Sequence, residues 1–166
     1  MQKYIFIVNG KPRCGKDTFA EILGSMVPVM KYSSIDKVKA VAMECGWNGG
    51  KTEKDRKFLS DLKKLTTEYN DMSFKAVASK VEFFRKNSIH EIMLIDIREP
   101  DQIKRAQWEF NADSILIENE RVENVVSNES DASIYRYNYD YVIENNGTLD
   151  EFRENIKKFL EEIGMI

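Results

Sequence analysis

The chain has 166 residues, 42% of them hydrophobic and 32% charged, with a formal net charge of −3. That length suits one domain with a real core, and the composition argues against wholesale disorder. The mild negative charge leaves no basic face for a nucleic-acid polymer, and the sparse Cys14, Cys45 and His90 exclude a zinc site or a disulfide framework.

The first ten residues, "MQKYIFIVNG", carry an apolar run too short for a signal peptide or a membrane span. With two reduced cysteines, this predicts a cytoplasmic protein with no membrane partner. "YIFIVNG" reads as a fully buried strand, because its β-branched and aromatic residues run continuously, as in central parallel strands. From Lys16 onward Phe19, Ile22, Leu23 and Met26 recur at helical spacing. "VPVMKYS" is a short second strand. Ser34 then has the character of an N-cap for a helix carrying Ile35, Val38, Val41, Ala42 and Cys45. After "GWNGG", a helix from about Glu53 to Tyr69 lines up Phe58, Leu62, Leu65 and Tyr69 on one stripe. Asp71 or Ser73 opens the next, with Phe74, Val77, Val81 and Phe84 inward. "EIMLIDI" is a buried strand, Pro100 starts a helix with Ile103, Ala106 and Phe110, and "DSILIEN" and "DYVIEN" are further strands. Thr148 with Glu151 forms a capping box for the last helix.

Strands alternating with helices predict a three-layer α/β/α domain around a parallel sheet, with ligands at the carboxyl ends of the strands. The expected ends are Asn9-Gly10, Asp96 to Arg98, Asn119 to Arg121, and Asn145 to Gly147.

"NGKPRCGKDT" fits the phosphate-loop pattern G-x-x-x-x-G-K through Gly10, Gly15 and Lys16, between a buried strand and an amphipathic helix. The glycines let backbone N–H groups turn inward, and the helix adds the positive end of its dipole. Lys16 would reach the β- and γ-phosphates, and Arg13 adds a cation inside the loop. Where the pattern wants Ser or Thr stands Asp17, with Thr18 one place later. Asp17 can ligate magnesium directly or through water, or it can simply suit the helix dipole.

Asp96 ends a buried strand, where a second magnesium-organising acid is expected. The residue after it is Ile97, not the glutamate with which motor-type ATPases activate water, and GTPase signatures are missing. What remains is a transferase that hands the phosphoryl group to something other than water. Arg98 shares the strand end and points to the site rather than to a surface ion pair. Arg56 lies on the polar side of its helix, where spacing alone reads as solvated surface. Arg121 and Arg136 flank "VENVVSNESDASIY", a polar segment suited to a lid; each arginine fits a lid or an ordinary surface equally.

"GKPRCGKDT", "DIREPDQIKRAQWEFNADSILI" and "YDYVIENNGTLDEF", in this order, resemble phage deoxynucleoside monophosphate kinases. They are similar also to animal-type phosphomevalonate kinases, which share the P-loop kinase fold and the G-K-D loop. The resemblance covers most of the chain and is weakest from Lys31 to Arg85. It implies one kinase domain over 1–166, with acceptor-binding helices over about 34–86 and a short lid over about 120–137. It further implies ATP bound by Gly10, Cys14, Gly15, Lys16, Asp17, Thr18, Arg121, Asn146 and Gly147. Mg²⁺ would sit on Asp17 and Asp96. The transfer would be carried by Lys16, Arg13, Asp17, Asp96 and Arg98, with the acceptor on Arg98 and Arg56. Either Lys37 or Lys39 matches a family lysine, although "SSIDKVK" replaces the Gly-Pro that often precedes it. The expected activity moves the γ-phosphoryl of ATP to a small phosphorylated acceptor, a (deoxy)nucleoside monophosphate. The alternatives are another phosphorylated metabolite such as phosphomevalonate, or a nucleotide sensor without turnover. The sequence is compatible with a monomer or a dimer.

Overall fold

Five parallel strands in the order β2-β3-β1-β4-β5 form the sheet, with helices on both sides. The structure is a computed structural model and describes residues 2–122 and 134–166. The strands are β1 (Tyr4–Asn9), β2 (Val29–Ser33), β3 (Ile92–Asp96), β4 (Asp113–Glu118) and β5 (Tyr141–Glu144). β1 is central. It runs beside β3 from Tyr4↔Ile92 to Val8↔Asp96 and beside β4 from Phe6↔Asp113 to Asn9↔Leu116. Both neighbours therefore end level with the turn that leaves β1, and their last side chains gather at one edge of the sheet.

The chain forms two compact units, one from Met1–Lys31 and Ile89–Ile166, the other from Tyr32–Ser88. In the first, alternate β1 residues face opposite layers. Phe6 and Val8 join Phe19 and Leu23 of α1 (Lys16–Met26) and Phe152, Ile156 and Phe159 of the last helix, α6 (Leu149–Glu162). Phe6 meets Phe159 edge to face, with ring centres 5.2 Å apart. On the other face α5 (Pro100–Phe110) packs on β1 and β4 and buries Ile103, Ala106 and Phe110. Burial on both faces is why β1 and β3 read as continuous apolar runs. The Thr148–Glu151 capping box forms as expected.

The second unit holds α2 (Asp36–Glu44), α3 (Glu53–Asn70) and α4 (Met72–Asn87), and it spans the stretch read as acceptor helices. Here local reading erred once. Ser34 is not an N-cap: α2 starts at Asp36, whose carboxylate accepts the Ser33 N–H at 2.8 Å, while the Ser34 carbonyl accepts the Ser73 hydroxyl. The apolar stripe of α3 is largely exposed. Phe58, Leu65 and Tyr69 are 37%, 64% and 84% exposed, and α3 buries no residue fully. Its start is nonetheless sharply defined by a capping box of Thr52 and Asp55.

Among the described residues no helix is long and apolar enough to cross a membrane. The expected lid falls mainly on residues 123–133, outside the described residues; beyond them Ile134–Arg136 makes one 3₁₀ turn.

Candidate functional site

The turn leaving β1 is strained where the sequence supplies glycine. Gly10 has φ 152°, and a Cβ there would come within 2.6 Å of both the Cys14 sulfur and the Ile117 carbonyl oxygen of β4. Gly15 has φ 106°, and a Cβ there would collide with the Asn145 amide. Only glycine meets both demands. Arg13, with φ 67°, takes a left-handed conformation without that licence. Gly15 caps α1, and no side chain bonds the helix start. The first-turn N–H groups of Lys16, Asp17 and Thr18 thus face the loop, as an anion site requires.

Lys16 curls back over the loop, donating to the carbonyls of Gly10 at 2.7 Å and Lys11 at 3.0 Å. Burial pushes its ammonium below the ordinary lysine value; repulsion from Arg98 adds to this, while Asp96 and Asp17 oppose it. Burial also raises the Cys14 thiol, which keeps it neutral beneath the loop.

Two carboxylates stand at the same end. Asp96, level with Val8 in the register, has only 24% of its side chain exposed, and burial raises its pKa. Asp17, at the start of α1, is 89% exposed. Lys31 of β2 joins them: its ammonium donates to Asp17 and lies 3.6 Å from Asp96. Burial by itself would lower the Lys31 pKa, but the two acids outweigh it and raise it. The sequence reading passed over Lys31. The available signal was a charged residue standing inside the apolar run "VPVM" to "YS", where a strand interior needs a partner for it.

This donor set fits Mg²⁺. Among the described residues no cluster of three or more His, Cys, Asp or Glu could hold a metal alone. Mg²⁺, however, characteristically takes one or two carboxylates and completes its shell with phosphate oxygens and water.

Asn9, the last residue of β1, ties the site to its surroundings. It is 1% exposed, and its side chain is fully engaged. Its carbonyl oxygen accepts the Gly10 N–H at 2.8 Å. Its amide donates to the Arg98 carbonyl at 3.3 Å and to the Tyr139 hydroxyl at 2.9 Å. Tyr139 passes the bond on to the Ile134 carbonyl at 3.0 Å. Burial pushes the Tyr139 hydroxyl up to about 12, so it remains a donor at working pH. The same segment is pinned further along: Asp140 accepts the N–H and hydroxyl of buried Ser114 at 2.7 and 2.8 Å and the Gln107 amide at 2.6 Å. Tyr139 was not among the residues read from sequence, and Asn9 was read only as a strand end.

On the other flank Asn145 donates to the Cys14 carbonyl at 2.9 Å, so this residue, rather than Asn146, touches the glycine loop. Arg121 donates to the Asn145 carbonyl at 3.1 Å, and Asn146 accepts the Glu120 N–H at 2.8 Å. Arg121 and Asn146 are thus tied to the segment that carries Asn145, and Asn145 itself lies against Gly15. Asn146 and Gly147 line an open cleft of about 730 Å³ together with Glu144, Asp150, Glu151 and Glu154 and, against these acids, Arg153 and Lys158. Its acidic lining is wrong for phosphate. Arg13 and Arg98 are exposed at the loop and at the end of β3. Arg56 is exposed on α3 of the second unit, with Lys37 and Lys39 on α2, and Arg136 lies on the 3₁₀ turn.

No protein-family model matches the chain, and no curated protein matches it. Solved structures do. The tunicamycin resistance protein of Deinococcus radiodurans aligns with a TM-score of 0.60 at 9% identity, covering 99% of this chain and 98% of that one. Shikimate kinase from Aquifex aeolicus gives 0.56 at 13% identity over 97% and 98%. Dephospho-CoA kinase from Campylobacter jejuni gives 0.52 at 19% identity over 97% of each chain. The fold is that of the P-loop kinases.

Proposed function

We propose that the chain is an ATP-dependent phosphotransferase that moves the γ-phosphoryl group to a small phosphorylated acceptor, a (deoxy)nucleoside monophosphate. The observation that carries this reading is the gathering of Lys16, Asp17, Lys31, Asp96 and the Arg98 strand end around a strained glycine loop at the carboxyl edge of the sheet. Phosphoryl transfer needs positioning and charge neutralisation more than covalent chemistry, and this set contains nothing else.

In this reading the backbone from Gly10 to Thr18, Cys14 included, cradles the donor phosphates, and Lys16 leaves the loop carbonyls to meet the β- and γ-oxygens. Asp17 and Asp96 hold Mg²⁺, which supplies charge neutralisation between the donor phosphates when bound. Arg13 balances charge across the transferring group. An acceptor oxygen attacks the γ-phosphorus as the bond to the β–γ bridging oxygen breaks, and ADP leaves. Arg121, Asn146 and Gly147 flank the donor base. Arg98 takes the acceptor phosphate, since a guanidinium matches a dianionic oxygen pair better than an ammonium does. The acceptor role of Arg56, like that of the helices over about 34–86 and of a lid over about 120–137, rests on the family resemblance alone.

The fold does not choose the acceptor: the neighbours' names include shikimate and dephospho-CoA kinases, two different acceptor chemistries on one framework. Coupled ADP release with dNMPs, NMPs and phosphomevalonate as separate acceptors tests the reading. Turnover with a nucleoside monophosphate supports it, turnover with phosphomevalonate alone selects the other acceptor class, and ATP binding without transfer to any of them makes the chain a sensor.

A further inference from the structure

We infer that Lys31 is a displaceable internal cation, which occupies the Asp17–Asp96 carboxylates and must leave them when a divalent metal binds there. The inference rests on the reading of those two acids as the metal ligands and adds a resident competitor to them.

The geometry is specific. Lys31 donates to Oδ1 of Asp17, and its ammonium is 3.6 Å from Oδ2 of Asp96. One cation thus bridges an acid on α1 and an acid at the end of β3, although 14 residues separate Lys31 from Asp17 in the chain. Two carboxylates brought this close repel each other, and each raises the other's cost of ionising. The Lys31 ammonium offsets that repulsion in the metal-free protein. A divalent ion bound to the same oxygens would put a second cation within a few ångströms of the first, so ammonium and ion exclude one another.

The residue type suits exchange. Lysine carries a compact, strongly hydrated charge on a flexible four-carbon stem, whereas an arginine fork would hold both acids rigidly. With 33% of its side chain exposed, Lys31 already has a path to water. Because binding linkages are reciprocal, whatever the ammonium gains from the acids is subtracted from the affinity of the metal.

Titration of the full-length chain with Mn²⁺, without nucleotide, tests this by calorimetry, with melting temperature as the check on folding. Lys31→Met should bind Mn²⁺ about three- to tenfold more tightly than the parent chain, the range expected for losing a partly exposed ion-pair competitor. Asp96→Asn, made in the Lys31→Met background, should abolish the gain. In parallel, lysines carrying ¹³C-methyl groups should show the Lys31 resonance, assigned by its loss in Lys31→Arg, moving towards the position of exposed lysines as Mg²⁺ is added. Equal or weaker Mn²⁺ binding in Lys31→Met, or an unmoved Lys31 resonance at saturating Mg²⁺, overturns the inference and leaves the metal reading standing. Mn²⁺ binding as tight in the Asp96→Asn, Lys31→Met double variant as in Lys31→Met alone overturns the metal reading itself.

Discussion

The loop end of the sheet and helix α3 are both amphipathic and charged in sequence, yet the fold treats them in opposite ways. Around the loop three polar residues have definite partners: Lys16 on two loop carbonyls, Asn9 on three groups, Lys31 on two acids. On α3 an apolar stripe at regular helical spacing is left largely in water, with Tyr69 84% exposed. Directed bonds and backbone strain define the first region, and general burial defines the second only loosely. Substitutions should therefore be expensive in one and nearly free in the other.

The largest effect should come from Lys16→Ala. It removes the ammonium held at the Gly10 and Lys11 carbonyls, so transfer should fall about a hundred- to a thousandfold or more, with a melting temperature near that of the parent. Normal turnover in a purified Lys16→Ala chain would dissolve the distinction between the two regions.

Next come the arginines. Arg98→Ala should lower kcat/KM for the acceptor roughly ten- to a hundredfold, the worth of one charge-assisted contact, while leaving the apparent affinity for ATP unchanged. Arg56→Ala, assayed in the same way with donor and acceptor varied separately, places α3 on a scale between the two: an acceptor-only loss makes it functional, and no loss makes it solvated surface.

Asn9→Leu probes stability. It strips partners from the Gly10 N–H and from the Arg98 and Tyr139 contacts, and an orphaned buried group costs about 1–3 kcal/mol. Urea unfolding should register a loss in that range; a loss under about 0.5 kcal/mol, the size of an ordinary surface change, would show the hub to be slack.

Tyr139→Phe should act less, and with a pH signature. The folded hydroxyl holds its proton up to about 12 against an ordinary value of 10.0. Between those pH values the folded chain binds more protons than the unfolded one, so stability falls as pH rises through the window. Tyr139→Phe should remove that part of the slope, read from melting temperatures across the range.

The smallest effects belong to α3. Leu65→Ser and Tyr69→Ser should each shift unfolding by less than about 0.5 kcal/mol. A drop of 2 kcal/mol or more, the scale of a vacated core position (~2–5 kcal/mol), would mean that the stripe is covered in solution.

The conformation of the glycine loop was legible because its glycines are local necessities: positive φ and a close approach to Ile117 leave no other residue type. The buried strands and the Thr148–Glu151 cap were legible for the same reason, since burial on both faces and a three-residue reciprocal bond leave marks in adjacent letters. Ser34 misled because a serine before an apolar-periodic run is the usual cap, whereas here Ile35 stands at the cap position with no side-chain bond and Asp36 instead accepts the Ser33 N–H. The α3 helix was legible, but a helical period says which residues share a face, not whether anything lies against it.

By itself the sequence determined the order of strands and helices, the strained turn after β1, and the presence of Lys16, Asp17, Asp96 and Arg98 at strand and helix ends. The tertiary structure alone decided who meets whom. Lys31 reaches Asp96 because β2 lies next to β3 in the sheet, and Asn9 reaches Tyr139 across 130 positions of chain. Periodicity and propensity encode one residue's surroundings, buried or exposed, turning or straight. A pairing depends on strand order and register, which the whole core selects together, and no single segment carries that information.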